Sequence, residues 1–252
     1  MTTRNAEPEG FAEEQGNGAG SVLTRGLLES GLLDTLVAAD DPMARRVTEI
    51  ERLASLRETL ALRPDGDVWV FGYGSLVWNA AIDAVEKRLA RVVGWHRAFC
   101  LSITALRATA EQPGLMLSLD RGGQSCGVAY RLAEDVVERE LRLLWRREMV
   151  IAGYVPRWVP LVDAEGHDIG TAIAFTTDAA HPLYAGGLGE TGIAHRLATA
   201  AGSLGSNAEY LDRTCDGLQA AGICDPALGR LKDEVRRIRR ASRGRSATHV
   251  AS

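Results

Sequence analysis

The 252-residue chain holds only four cysteines, Cys100, Cys126, Cys215 and Cys224, and no two of them form a C-x-x-C pair. Neither a disulfide framework nor a zinc signature is present. Two of the four lie in apolar, strand-like runs, where a cysteine ordinarily acts as a small buried hydrophobe. The five histidines are dispersed, with no H-x-x-x-H pair on a helical face, so no metal and no cofactor are expected. No apolar run is long enough to span a membrane, and no apolar N-terminal segment follows a basic one. A cytoplasmic protein with no membrane association is expected. A formal net charge of −4 argues against general nucleic-acid binding. No internal repeat is visible, and oligomeric state leaves no mark in the sequence.

What is present is an ordinary globular composition, 46% hydrophobic and 25% charged, enough to bury a sizeable core. Residues 1–20, rich in Gly, Glu, Asn and Thr, are expected to be disordered. Residues 21–65 read as a helical extension. A short helix runs from Ser21 to Val37, and a second carries Val47, Ile50, Leu53, Leu56 and Leu60 at steps of three and four before the Pro64-Asp65-Gly66 turn. Short β-prone segments follow at Val68–Tyr73, Arg91–Val93, Arg97–Ile103, Leu115–Leu119, Cys126–Leu132, Tyr154–Val162 and Ile169–Thr177. One helix near 134–148 interrupts them. Helices near 190–202, 206–221 and 226–240 close residues 66–240, the expected catalytic domain. Strands grouped with few intervening helices predict an α+β domain with mainly antiparallel pairing. Arg236, Arg237, Arg239, Arg240, Arg243 and Arg245 lead into residues 241–252, read as a basic disordered tail.

Within the first strand, V-W-V-F-G-Y-G-S-L-V-W at 68–78 breaks into Gly72-Tyr73-Gly74-Ser75. Glycine permits positive φ and close backbone approach, so the strand end can turn its amides toward a ligand. The segment is not a phosphate loop, since no Gly-Lys-Ser/Thr follows, and it lacks the third glycine of a dinucleotide fingerprint. Nor is Ser75 in a nucleophile elbow, because Tyr73 and Val77 stand where that motif needs glycines.

On the 134–148 helix, Val137, Leu141 and Leu144 form an apolar stripe whose next step of four is Glu148. A carboxylate there is either buried with the stripe, and so raised in pKa by burial and by the helix C-terminus, or solvated, or paired with Arg147 or another arginine. Tyr210 sits early in a helix capped by Ser206 or Asn207, as a core tyrosine or a site residue. Arg107, on the loop after Ile103, either pairs with a substrate carboxylate or is solvated.

Read together, F-G-Y-G-S-L-V-W-N at 71–79, L-L-W-R-R-E-M at 143–149 and G-S-N-A-E-Y-L at 205–211 resemble the ChaC-type γ-glutamylcyclotransferases. The segments V-G-W-H-R-A-F-C-L at 93–101, G-V-A-Y-R-L at 127–132 and H-P-L-Y at 181–184 are similar to its bacterial members. The R-E pair and the later N-x-E-Y-L point to the glutathione-specific branch. The resemblance implies a small, partly closed β-barrel with flanking helices. It also implies cleavage of glutathione into 5-oxoproline and cysteinylglycine without a cofactor. Glu148 aligns with the catalytic residue, Val70, Phe71, Gly72, Tyr73, Gly74 and Ser75 with the segment that fixes the γ-glutamyl group, and Tyr210 with a tyrosine near the site. Such chemistry closes a lactam by attack of the substrate's own α-amine. It needs a base for the ammonium and donors for the oxyanion, for which the Tyr73–Ser75 amides are candidates. A cyclotransferase for other γ-glutamyl amino acids or amines, a non-catalytic metabolite-binding protein, and a Ser75-based amidohydrolase are the competing readings.

Overall fold

A computed structural model describes residues 23–249, with side chains through residue 244; the disorder expected for residues 1–20 lies outside this range. The extension opens with α1 (Arg25–Glu29) and α2 (Leu32–Asp40). These are two helices where one was expected, because Gly31 between them has φ +72, which a helix interior does not accommodate. Helix α3 (Glu49–Ala61) starts at a capping box in which Thr48 and Glu51 satisfy each other's backbone amides. Its expected apolar stripe is rotated. Ile50 is 81% exposed, while Arg52 and Thr59 are buried beside Leu56. Arg52 is drawn inward by the Val47 carbonyl and the Asp34 carboxylate.

Strand β1 (Trp69–Gly72) is followed by the short helix α4 (Ser75–Trp78), then by β2 (Glu86–Ile103) and β3 (Gly114–Arg131), two 18-residue antiparallel strands. These replace the four shorter strands expected over the same residues. After a 3-10 turn come α5 (Val137–Glu148), β4 (Val155–Val162) and β5 (Asp168–Thr176). Beyond them lie α6 (Glu190–Thr199), a two-stranded hairpin of β6 (Ala201–Gly202) and β7 (Gly205–Ser206), α7 (Asn207–Ala220) and α8 (Pro226–His249). Helix α8 continues through most of the segment read as a disordered tail.

The five long strands form a closed barrel in the order β1-β3-β2-β4-β5. Neighbours in this order are antiparallel except where β1 meets β5, the parallel seam that completes the circle, and β5 makes one further parallel pairing with β3 at Leu119–Thr176. The barrel is therefore fully closed rather than partly so. Phe71, Leu115, Leu117, Leu119, Leu161, Ile173 and Phe175 are fully buried in its wall and core. Helix α5 packs on this core through Leu141, Leu144 and Trp145, the last edge-on to Phe175 with ring centres 5.2 Å apart. Truncating a buried Trp of this kind costs about 3–5 kcal/mol. Cys100 is buried as its apolar surroundings predict, but Cys126, on the outer face of β3, is exposed. No helix among the described residues is long and apolar enough to cross a membrane.

Candidate active site

The end of β1 and the end of α5 meet at one cavity. Its narrow inner part is lined by Tyr73, Gly74, Ser75, Leu117, Glu148, Tyr154, Phe175 and Tyr210. A wider, mostly apolar outer part shares Ser75, Glu148, Tyr154 and Tyr210 and adds Asn79, Leu101, Leu106, Arg107, Met116, Arg147, Ile151 and Leu204, with Leu23 and Leu33 from the extension. Four of the sequence-derived candidates, Ser75, Arg107, Glu148 and Tyr210, therefore face common space, and Tyr73 and Gly74 line its inner end. Val70 and Phe71 do not reach it. They are fully buried in the barrel wall, as is Gly72 beside them, and serve to fix where the loop begins.

The glycines are needed for space, and neither Gly72 nor Gly74 has a positive φ. A Cβ on Gly72 would lie 3.0 Å from that of Leu76, and one on Gly74 would lie 3.2 Å from both Leu117 Cδ2 and the Tyr210 hydroxyl. Beyond Gly74 the chain enters α4, whose first N–H groups have no carbonyl one turn back to donate to. The third of them, on Val77, donates to the Gly74 carbonyl at 2.9 Å, and Ser75 and Leu76 line the inner cavity.

The stripe of Val137, Leu141 and Leu144 is buried, and Glu148 continues it as the last residue of α5. Its side chain is 12% exposed, toward the cavity. Oε1 lies 3.0 Å from Arg147 Nε but is not aligned with it as a hydrogen bond, and this buried oxygen has no donor. Burial therefore pushes the Glu148 carboxyl above the usual glutamate range, against the opposing pull of the Arg147 guanidinium. Arg147 itself is anchored by the carbonyls of Asn79 and Ala80 and by Ser75 Oγ, to which Nη2 donates at 2.8 Å.

Three tyrosines surround the carboxylate. Burial, reinforced by the Glu148 charge, raises the phenols of Tyr73 and Tyr154 well up and that of Tyr210 to about 12, so all three are neutral donors. Tyr73 donates to the Phe175 carbonyl and Tyr154 to that of Leu117 at 2.7 Å, which commits both to structure. Tyr210 stands edge-on to Phe99, its hydroxyl next to Gly74 and Ser75.

Arg107 is 7% exposed rather than solvated. Its guanidinium donates to the Ser206 carbonyl at 3.3 Å and stacks over the Tyr210 ring at 5.5 Å. Among the described residues no carboxylate lies within ion-pair reach of it. Burial lowers its pKa. The Glu209 charge, itself paired with Arg213, offsets this burial from beyond ion-pair distance; a buried cation with no carboxylate in contact is costly, and its place in the cavity wall suits an anionic ligand group.

Sequence reasoning did not single out Tyr154, Asn79 or the apolar outer wall. Arg147 was visible only as a partner for its neighbour in R-R-E-M. Away from the cavity, Asp163, Glu165 and His167 bring ligand-type atoms within 4.8 Å of one another in the exposed β4–β5 turn, a grouping that no spacing signature announces.

The closed five-stranded barrel with flanking helices has the fold of the γ-glutamyl cyclotransferases. A selenomethionine-labelled glutathione-specific enzyme of that class from yeast superposes with a TM-score of 0.63 at 19% identity, over 69% of this chain and 98% of the other. That likeness concerns the fold alone. The chain belongs to the ChaC-like protein family, whose model matches residues 68–238. It is 48% identical over 189 residues to the glutathione-specific gamma-glutamylcyclotransferase of Escherichia coli (strain K12), covering 75% of this chain and 81% of that protein. With glutathione-specific gamma-glutamylcyclotransferase 1 of Homo sapiens it shares 34% identity over 166 residues, 64% of this chain and 75% of the relative.

Proposed function

We propose that this protein is a lyase that converts glutathione into 5-oxoproline and cysteinylglycine in the cytoplasm, with Glu148 as the proton carrier. The observation that carries the reading is the buried, donor-poor Glu148 carboxylate at the junction of a narrow recess and a wider chamber. The names of the relatives support glutathione as the substrate.

The γ-glutamyl group enters the inner recess, and its α-nitrogen is brought close to its own γ-carbonyl. An α-ammonium titrates near pH 8, so it must lose a proton before it can attack. Glu148, with an elevated proton affinity, takes that proton. The nitrogen lone pair forms the new C–N bond of a five-membered lactam, and charge develops on the carbonyl oxygen. The amides at Tyr73–Ser75 donate to this oxyanion, and the Tyr210 hydroxyl holds the substrate beside them. As the oxyanion collapses, the original amide bond breaks, and Glu148 returns its proton to the departing nitrogen of cysteinylglycine; the second proton shed by the ring nitrogen follows the same route, so the peptide leaves as an ammonium and the lactam nitrogen keeps one hydrogen. No water is consumed. Holding a folded substrate supplies much of the acceleration, because the attack is intramolecular. Ser75 supports Arg147 through Oγ and is not a nucleophile. The leaving peptide occupies the outer chamber, with its terminal carboxylate at Arg107.

The test is product analysis. Purified protein with glutathione is expected to yield 5-oxoproline and cysteinylglycine in equal amounts, and N-acetyl-glutathione, whose amine is blocked, is expected to be inert. Free glutamate as the main product would mean hydrolysis and would overturn the assignment.

A further inference from the structure

Helices α1 and α2 precede the segment that matches the family, yet they reach the cavity. Leu23 and Leu33 line its outer part, and Asn79 Nδ2 donates to the Leu23 carbonyl at 3.1 Å. The contact with most consequence lies at the end of α2. Asp40 Oδ2 accepts from the Leu106 amide at 2.7 Å, from Ser203 Oγ at 2.6 Å and from the Ser203 amide at 3.4 Å.

Leu106 has φ +66, and the Arg107 amide donates to the Ala105 carbonyl two residues back at 2.8 Å. These features define a γ-turn of the positive-φ kind, which is rare and strained, here with a leucine at its centre. The Leu106 carbonyl accepts from the Leu204 amide at 2.6 Å. Both polar groups of the strained residue are thus gripped from outside the turn, by α2 directly and by the β6–β7 turn that α2 also holds. Asp41 adds a second tie, accepting from Thr104 Oγ1 at 2.6 Å. Strained backbone persists only where its surroundings over-determine it. The residue that follows this one is Arg107, the buried guanidinium with no carboxylate in contact.

We propose that Asp40 is a positioning residue: by clamping the Ala105–Arg107 turn from α2 it aims the Arg107 guanidinium at the far carboxylate of the substrate. The N-terminal extension thereby takes part in substrate selection. This inference rests on the reading of Arg107 given above.

The test compares glutathione with its C-terminal glycinamide, which lacks the far carboxylate, using the full chain and measuring 5-oxoproline. The readout is the ratio of the two kcat/KM values within one preparation. A partly unfolded variant loses both substrates equally, so a purely structural role leaves this ratio unmoved. Wild type is expected to favour glutathione by about tenfold or more, the worth of a charge-assisted hydrogen bond. Arg107→Gln should bring the ratio close to one. Asp40→Ala should lower it by about fivefold, with the loss carried by KM rather than kcat. Adding Leu106→Gly to Asp40→Ala should recover at least half of the lost preference, because glycine adopts positive φ without strain. Asp40→Asn should give a smaller drop of the same kind and serves if the alanine variant does not fold. A collapsed ratio in Arg107→Gln with a wild-type ratio in Asp40→Ala or Asp40→Asn would overturn the role of Asp40 and leave that of Arg107 standing. An unmoved ratio in Arg107→Gln would refute the reading of Arg107 and this inference together, as would a wild type that forms no 5-oxoproline.

Discussion

Glu148 ends a helix, is buried, and has an oxygen with no hydrogen-bond donor, so its charged form is held against a desolvation cost. A carboxyl whose folded pKa is raised contributes stability at low pH and loses that contribution as pH rises through the folded value. Glu148→Gln removes the group that bears this cost. Thermal melts should show the variant at least as stable as wild type at neutral pH, with its advantage shrinking on acidification. Turnover should nonetheless fall by about two to four orders of magnitude, the usual contribution of general acid–base catalysis. In wild type the acid limb of the kcat/KM profile should lie above the ordinary glutamate range, since the deprotonated carboxylate is the active form. A folded Glu148→Gln enzyme with a near-normal rate would remove Glu148 from the mechanism. Gly74 is constrained by space. Its missing Cβ already approaches Leu117 and the Tyr210 hydroxyl at 3.2 Å, so the branched side chain in Gly74→Val must displace one of them or fill the recess. Calorimetric titration of the variant with glutathione should detect no binding.

Among the elements, α5 carries both the proposed base and the anchor of the extension. Glu140, in its first turn, is wholly buried and receives Arg25 through two hydrogen bonds of 2.7 and 2.8 Å. Burial alone would raise its pKa, but Arg25, the Asp83 amide and Arg139 outweigh that effect and hold it at about 2. A depressed carboxyl adds stability above its unfolded pKa that is lost as pH falls toward the folded one. Arg25→Met should therefore lower the melting temperature at pH 7, by the equivalent of about 1–3 kcal/mol for depriving a buried carboxylate of one charged donor while Arg139 and the Asp83 amide remain. The gap from wild type should close between the ordinary glutamate pKa and about pH 2 as Glu140 is protonated; a gap constant with pH would mean that the ion pair is not its source. The same helix shows what periodicity can reveal, since steps of four, three and four lead from Val137 through Leu141 and Leu144 to Glu148. Elsewhere local signals misled. The breaks expected after Val93 and after Leu119 hold Gly94, Gly122 and Gly123, and these form a bulge inside the β2–β3 ladder, where Val93 pairs with Gln124 and Trp95 with Arg121. Only the long-range pairing tells a bulge from a turn. Arg52, buried while Ile50 is exposed, likewise depends on Asp34 and Val47, partners that no helical period specifies. Asp40 has no local mark at all, because its role exists only across the contact with Leu106.

At the scale of the whole molecule, the cavity is assembled from widely separated stretches of chain: the loop after β1, the end of α5, Tyr154, Phe175 and the start of α7. The parallel seam joins β1 to β5, and the Tyr73 hydroxyl reaches across to the Phe175 carbonyl, 102 residues away in sequence. Hairpins such as β2–β3 and β4–β5 need only local loop closure, whereas this seam requires a large loop to close before any contact rewards it. Joining β1 to β5 thus closes a much longer loop than either hairpin does. During synthesis from the N-terminus, the Gly72–Ser75 loop emerges early but has no Glu148, Phe175 or Tyr210 to face until most of the chain has left the ribosome. A nascent chain that still lacks α7 therefore has an incomplete site, and activity is expected only once β5 has closed the barrel and α7 has brought Tyr210 against Gly74.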